Sequence, residues 1–310
     1  LINWYENKGS GNFSWYHIAY GYKDFRSVYA KDMDQDGDID VLSASFEDDE
    51  IAWYENDGSE TFLAHTIATT ADGASSVYAV DMDGDGDMDV LSASTNDDKI
   101  AWYENNGSES FNSHSITTSA DGATSVCAVD VNGDGYMDVI STSTSTCKIG
   151  YYLNNGSNNF TYNDCIATSE SLDQGTLSNV NSLFAVDFDQ DGDIDVLSAS
   201  GNDGRIAWHE SNGHPTSPAF NSYTITTSAD GATSVYAVDI DNDGDIDVLS
   251  ASENDDKIAW YENNGSQSFT SHTIATDADG ARSVYAVDLD GDGDIDVLSA
   301  SYNDDKIAWY

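Results

Sequence analysis

The chain has 310 residues, of which 10 are basic and 57 acidic, giving a formal net charge of −47, and 39 % are hydrophobic. A surface so acidic repels nucleic acid and anionic lipid, while an apolar content rich in Tyr, Trp and Val buries a sizeable core and excludes a disordered acidic tail. No run of about 18 apolar residues is present, so no membrane insertion is expected, and no signal peptide is visible.

The chain opens at Leu1 without Met and stops at Tyr310 inside a motif, the pattern expected of a piece of a longer protein. Ile2 begins a short apolar strand, and a second strand lies around Phe13 to Tyr20. From Val28 an apolar strand runs into a nine-residue aspartate loop and out into DVLSAS. Equivalent units begin near Val77, Val126, Leu183, Val235 and Val284, at spacings of 49, 49, 57, 52 and 49 residues. The aromatic strand IAWYEN recurs from Ile51, Ile100, Ile149, Ile206, Ile258 and Ile307, always 23 residues after the unit's first residue. An F…H.I pattern and ADGA follow before the next unit. Each repeat therefore offers four strands, a to d. The longer periods place inserted residues near Ser169 to Asn181 and near His214 to Pro218.

These strands are short, β-branched or aromatic, and bounded by Gly, Asn, Asp and Ser. Strand c sets Ile100 and Trp102 on one face and Ala101 and Tyr103 on the other, so both faces must be covered. Small four-stranded antiparallel sheets packed face to face satisfy that need. The period fits a β-propeller blade better than one coil of a solenoid. The expectation is an all-β chain, one propeller domain over residues 1–310 with six blades, seven being the alternative. Six blades close if the strand near Phe13 to Tyr20 completes the blade of the last repeat, although Leu1 to Glu6 and Lys306 to Tyr310 then compete for one strand c position.

The aspartate loops lie between strands a and b. Loop positions 1, 3, 5, 7 and 9 are Asp32, Asp34, Asp36, Asp38 and Asp40 in the first copy, and Asp81, Asp83, Asp85, Asp87 and Asp89 in the second. They are Asp130, Asn132, Asp134, Tyr136 and Asp138 in the third, and Asp187, Asp189, Asp191, Asp193 and Asp195 in the fourth. The fifth has Asp239, Asp241, Asp243, Asp245 and Asp247, and the sixth Asp288, Asp290, Asp292, Asp294 and Asp296. These places hold 28 of the 57 acidic residues. Turn chemistry needs one or two such residues, whereas this crowding costs repulsion that a cation offsets. Carboxylates at positions 1, 3, 5 and 9 with the carbonyl of position 7 suit Ca²⁺ better than Mg²⁺, and Gly at position 6 allows the sharp turn. About six ions are expected, the third site being the weakest. An EF-hand would need Glu at position 12. Here that position is Ser43, Ser92, Ser141, Ser198, Ser250 and Ser299, followed by a strand.

Cys147 and Cys165 flank the Asn154 to Asn159 turn and are expected to form a disulfide in an oxidising compartment. Cys127, in place of a strand a Tyr, reads as a small buried hydrophobe. Glycosylation sequons at Asn12, Asn106, Asn155, Asn159 and Asn264 suit exposed turns of a secreted protein, though NGS is also good turn chemistry in its own right. His17, His65, His114 and His272 share one strand d position and read as packing or rim residues. His209 stands where other repeats have Tyr, and His214 lies in an insertion. No residue constellation argues for catalysis, so an enzyme is not expected.

The DxDxDGxxD hairpin between apolar strands, repeated at blade spacing, resembles FG-GAP/VCBS-type repeats, as in integrin α-subunit heads and some fungal lectins. The FG and GAP tripeptides are absent, with ADGA and LSAS at comparable places. The resemblance implies a calcium-binding extracellular propeller used for adhesion, ligand binding or carbohydrate recognition. Its partner would be a glycan or an extracellular protein, or further copies within a larger assembly. The alternatives are a purely structural repeat module and, less favoured, a polysaccharide-active enzyme. NDDK before strand c and ADGA before strand a are candidates for repeated pockets, and the IAWY aromatics for sugar stacking.

Overall fold

A computed structural model describes residues 1–20, 24–108, 110–144, 147–168, 177–216 and 218–310, except the side chains of Cys147 and Thr168. Every regular element among them is a strand. An N-terminal hairpin consists of β1 (Ile2–Asn7) and β2 (Phe13–Ala19). Blade one follows as β3 (Phe25–Lys31), β4 (Asp40–Ser45), β5 (Glu50–Asn56) and β6 (Phe62–Ala68). Blade two is β7 (Ala74–Val80), β8 (Asp89–Ser94), β9 (Lys99–Asn105) and β10 (Phe111–Thr117), and blade three β11 (Val126–Val129), β12 (Asp138–Thr142), β13 (Cys147–Asn154) and β14 (Phe160–Thr168). Blade four is β15 (Val180–Val186), β16 (Asp195–Ser200), β17 (Arg205–Ser211) and β18 (Phe220–Thr226). Blade five is β19 (Ala232–Val238), β20 (Asp247–Ser252), β21 (Lys257–Asn263) and β22 (Phe269–Ala275), and blade six β23 (Ala281–Val287), β24 (Asp296–Ser301) and β25 (Lys306–Trp309).

The six blades are antiparallel meanders arranged as a β-propeller, with strand order a-b-c-d in blades one to five. In blade six the sheet is β23-β24-β25, and β2 pairs with β1 in a sheet of its own. A local hairpin closes a shorter loop than pairing with the far end of the chain would, so the entropic balance favours it. No helix among the described residues is long and apolar enough to cross a membrane.

The strands group into two compact units. One holds Leu1–Ala128, Tyr136–Ser145 and Tyr152–Tyr162, the other Val129–Gly135, Thr146–Tyr151 and Asn163–Tyr310. In the first, Leu42, Ala44, Ile51 and Trp53 of blade one meet Val77, Ala79, Val90, Ala101 and Tyr103 of blade two. In the second, Leu197, Ala199, Ile206 and Trp208 of blade four meet Val235, Ala237, Val248, Ala259 and Tyr261 of blade five. The same alternation thus serves both faces of each inner blade, and Ile100, Ala101, Trp102 and Tyr103 are all at most 1 % exposed. Serine hydroxyls add blade-to-blade bonds along strand a: Ser27 Oγ accepts from Val77 N at 3.3 Å, and Ser234 Oγ from Val284 N at 3.3 Å.

Position in the array changes what a repeat residue contributes. Ile100 is 0 % exposed, whereas Ile307, at the same repeat position in blade six, is 57 % exposed. Ile100→Ala is therefore expected to cost about 2–5 kcal/mol in a urea titration, and Ile307→Ala well under half of that. Equal losses would contradict the packing described.

Candidate metal centres

The second loop shows how the sequence builds each site. Gly86 at position 6 has φ of 100°, a conformation that side chains with a Cβ rarely adopt, and the five equivalent glycines have φ between 90° and 101°. The turn folds the odd positions inward. Asp81 accepts from Gly84 N at 2.8 Å and Gly86 N at 3.0 Å, Asp83 from Asp85 N at 3.2 Å, and Asp85 from Asp87 N at 2.9 Å. Carboxylate oxygens of Asp81, Asp83 and Asp85 then lie within 4.8 Å of one another, as do those of Asp32, Asp34 and Asp36, and of Asp187, Asp189 and Asp191. In the fifth loop the converging group is Asp239, Asp241 and Asp247, and in the sixth Asp288, Asp290 and Asp296.

Positions 7 and 9 have other work. The Asp87 side chain turns away from the cluster and covers Gly107, where an added Cβ would stand 2.5 Å from Asp87 Oδ2. Asp38 over Gly58 and Asp245 over Gly265 repeat this, so position 7 offers a metal only its carbonyl. Position 9 is buried in loops one to five. Asp89 is 0 % exposed and accepts from Met82 N at 3.0 Å and from Asn105 N at 2.7 Å, joining the loop to the end of strand c. Asp40, Asp195 and Asp247 do the same through Asn56, Ser211 and Asn263, each at 2.7 Å. Asn105 also donates from Nδ2 to Met88 O at 3.2 Å. This Asn of the EN dipeptide is a site residue that the sequence reading passed over, and its recurrence at strand ends was the available signal.

Burial sets the acidity. It pushes the Asp89 carboxyl up to about 7, and those of Asp195 and Asp247 up to about 6, against the opposing pull of the backbone N–H bonds. The indole N–H of Trp102 comes near enough to favour the Asp89 carboxylate without making a formed hydrogen bond. Burial also raises Asp34, Asp83 and Asp189 at position 3, with neighbouring carboxylates adding to it.

The donor set fits a hard cation. Oδ1 of Asp32 and of Asp187 is buried with no hydrogen-bond partner, which is costly for a carboxylate oxygen unless a cation meets it. In the third loop the Asn132 amide donates from Nδ2 to Asp134 Oδ2 at 3.1 Å, so an N–H group stands inside the cluster. The Tyr136 ring lies over Gly156. No convergent carboxylate group forms there among the described residues.

Other sequence candidates fall into place or out of it. Position 12 is interior: Ser92 Oγ donates to Tyr103 Oη at 3.4 Å, and Ser198 Oγ meets His209 Nε2 at 2.9 Å. His209 is wholly buried, which lowers its pKa to about 3. His65, His114 and His272 stack on Trp53, Trp102 and Trp260 at 4.5–4.6 Å and meet Glu55, Glu104 and Glu262 at 2.6–2.8 Å. His17 does not belong to this set. Tyr16 faces Trp4, and His17 faces Asn3, because one more residue separates Phe13 from its histidine than in the later repeats.

The strand c tryptophans Trp53, Trp102 and Trp208 are at most 1 % exposed, so they pack blades and leave no face for a sugar. NDDK and ADGA are joined by side-chain hydrogen bonds. Asn96 Nδ2 donates to Asp72 Oδ1 at 3.0 Å, as Asn254 does to Asp230 and Asn303 to Asp279. The five sequon asparagines are exposed. Cys165 is disulfide-bonded and Cys127 is a free cysteine, while the Cys147 side chain lies outside the described residues. The first insertion is outside them over 169–176. The second is tied to blade three, Tyr151 Oη donating to Pro218 O at 2.8 Å.

The FG-GAP-like repeat pattern matches residues 32–92, 81–141, 130–198, 187–250 and 239–299. No curated protein matches the chain. Among solved structures, a lectin of Agrocybe aegerita described as recognising non-reducing terminal N-acetylglucosamine is 18 % identical, with a TM-score of 0.64 over 97 % of this chain and 85 % of that one. A Lactobacillus plantarum protein is 13 % identical, with a TM-score of 0.67 over 96 % and 84 %. A functionally unknown protein of Desulfotomaculum acetoxidans is 10 % identical, with a TM-score of 0.63 over 93 % and 83 %. At these identities the likeness is one of fold.

The raised carboxyls fix a pH dependence for the metal-free protein. Asp89, Asp195 and Asp247 hold protons more tightly folded than unfolded, where the pKa is about 3.9. Their contribution is therefore complete below about pH 4 and lost as pH rises through about 6 to 7. In chelator, the melting temperature is expected to fall between pH 5 and pH 8. A rise over that range would contradict the assignment.

Proposed function

As this chain belongs to the FG-GAP-like repeat family, we propose that it is an extracellular calcium-binding propeller serving as an adhesion or ligand-binding module, with glycans as the favoured ligand class. The observation that carries the calcium reading is the convergence of position 1, 3 and 5 or 9 carboxylates in five loops, with buried, unpartnered oxygens on Asp32 and Asp187. In each of these five loops the carboxylates of those positions and the position 7 carbonyl would hold one ion, with a sixth, more weakly held, at loop three. The ion supplies positive charge that offsets the repulsion among them. Six divalent ions would bring the formal charge from −47 toward −35. The ions are read as staples of the platform, with the ligand bound elsewhere on it.

The glycan reading is supported by fold likeness to a propeller lectin and by a repeated surface, since equivalent sites on successive blades suit multivalent sugars. Buried strand c tryptophans direct that reading to exposed rings such as Trp15, Tyr20, Tyr162 and Tyr302. Exposed sequons and a disulfide-bonded Cys165 agree with an oxidising, extracellular setting. A purely structural module is the second reading, favoured by the side-chain hydrogen bonds that join NDDK to ADGA. Catalysis forms no part of the proposal.

Calorimetric titration of chelator-treated protein with calcium is expected to show uptake and a melting temperature that rises with calcium. No uptake would overturn the calcium reading. On a glycan array, binding that needs calcium is expected, and silence with and without calcium would favour the structural module.

A further inference from the structure

Loops one and four differ from the others at position 4. Loops two, three and six have Gly84, Gly133 and Gly291 there, at φ of 75°, 72° and 78°, and loop five has Asn242 at 59°. Loops one and four have Gln35 and Gln190 at φ of 64° and 61°. A long side chain in the left-handed region carries a strain that glycine avoids.

Both glutamines reach the following blade. Gln35 Nε2 donates to Gly86 O at 2.5 Å, and Gln190 Nε2 donates to Gly244 O at 2.5 Å. A carbonyl only accepts, so the side-chain NH₂ must face it. The carbonyl that is gripped belongs to the peptide between positions 6 and 7 of the next loop. The N–H of that peptide is already held, Asp87 N donating to Asp85 Oδ1 and Asp245 N to Asp243 Oδ1, each at 2.9 Å. Each glutamine thus fixes the second end of a peptide plane lying between a carboxylate ligand at position 5 and a carbonyl ligand at position 7. Its own backbone lies between positions 3 and 5 of its own loop.

The same two loops differ in a further respect. Where position 4 is glycine, its N–H bonds to position 1, as Gly84 N to Asp81 Oδ1 at 2.8 Å and Gly291 N to Asp288 Oδ1 at 2.7 Å. In loops one and four the corresponding oxygens, Asp32 Oδ1 and Asp187 Oδ1, have no protein partner. An ion there competes with no N–H.

We infer that Gln35 and Gln190 are positioning residues that couple neighbouring calcium loops in pairs, one with two and four with five. Loops one and four take calcium first, and the glutamine passes their order to loops two and five. The inference rests on the calcium reading above and adds a sequence of filling to it.

Two-dimensional NMR of the whole chain during titration with calcium chloride alone tests it, following the amides of Asp38 and Asp87, and of Asp193 and Asp245. In the wild type, each pair is expected to titrate within one narrow range, Asp38 leading Asp87 and Asp193 leading Asp245. In Gln35→Gly, which adopts the backbone conformation used by three other loops, Asp87 is expected to lag to roughly fivefold higher calcium, with loops four and five unchanged. Gln35→Asn keeps the amide but is one methylene short, and the same lag is expected. Gln190→Gly should move Asp245 alone. A bond serving only blade packing would lower the melting temperature with and without calcium and leave these midpoints together. Unchanged midpoints in all three variants overturn the coupling while leaving the calcium reading intact. A wild type that takes up no calcium overturns both.

Discussion

A buried carboxylate at the ninth position of the first five aspartate loops ties the architecture of a blade together. Asp89 receives one N–H from its own loop and another from the end of strand c. Three strands and two turns therefore meet at one side chain. Such a group has no water to solvate it. Its bonds must be complete, and this accounts for a short, invariant loop length, while the recurrent Asn at the end of strand c adds a side-chain bond to the position 8 carbonyl.

The constraint propagates into charge. Fixing position 9 draws positions 1, 3 and 5 into the same few ångströms, and burial makes the carboxyls of positions 3 and 9 weaker acids. Without a counterion the fold favours protons at these groups; with one it favours carboxylates. Metal binding and folding are two expressions of one electrostatic balance. The third loop departs from this balance because Asn132 puts an N–H where the others have an oxygen, and its Tyr136 packs over Gly156 as the position 7 aspartates pack over their own glycines. It keeps the turn while losing the cluster.

The sequence revealed what repeats within one period. Strand order, the loop between strands a and b, and the need to cover both faces of IAWY follow from spacing and alternation, and the propeller contains them. Relations across the period were hidden. The bond from Gln35 to Gly86 joins residues 51 apart, and nothing local to Gln35 says which way its side chain points. The bond from Asn96 to Asp72 was hidden for the same reason. His17 was misplaced because it lies one position further along a strand whose register is the same as in the later hairpins, so that Tyr16 takes the place of the later histidines opposite the tryptophan. Exposure of Ile307 against burial of Ile100 is a matter of position in the array, which identical repeats cannot record.

Counting the ions tests the central claim most directly. Native mass spectrometry of protein equilibrated with calcium and then exchanged into volatile buffer should show mass increments of up to six Ca²⁺. The loop-three ion should be the first lost, and Asn132→Asp with Tyr136→Asp should make it as firmly held as the other five. A spectrum at the metal-free mass under the same conditions would contradict the account.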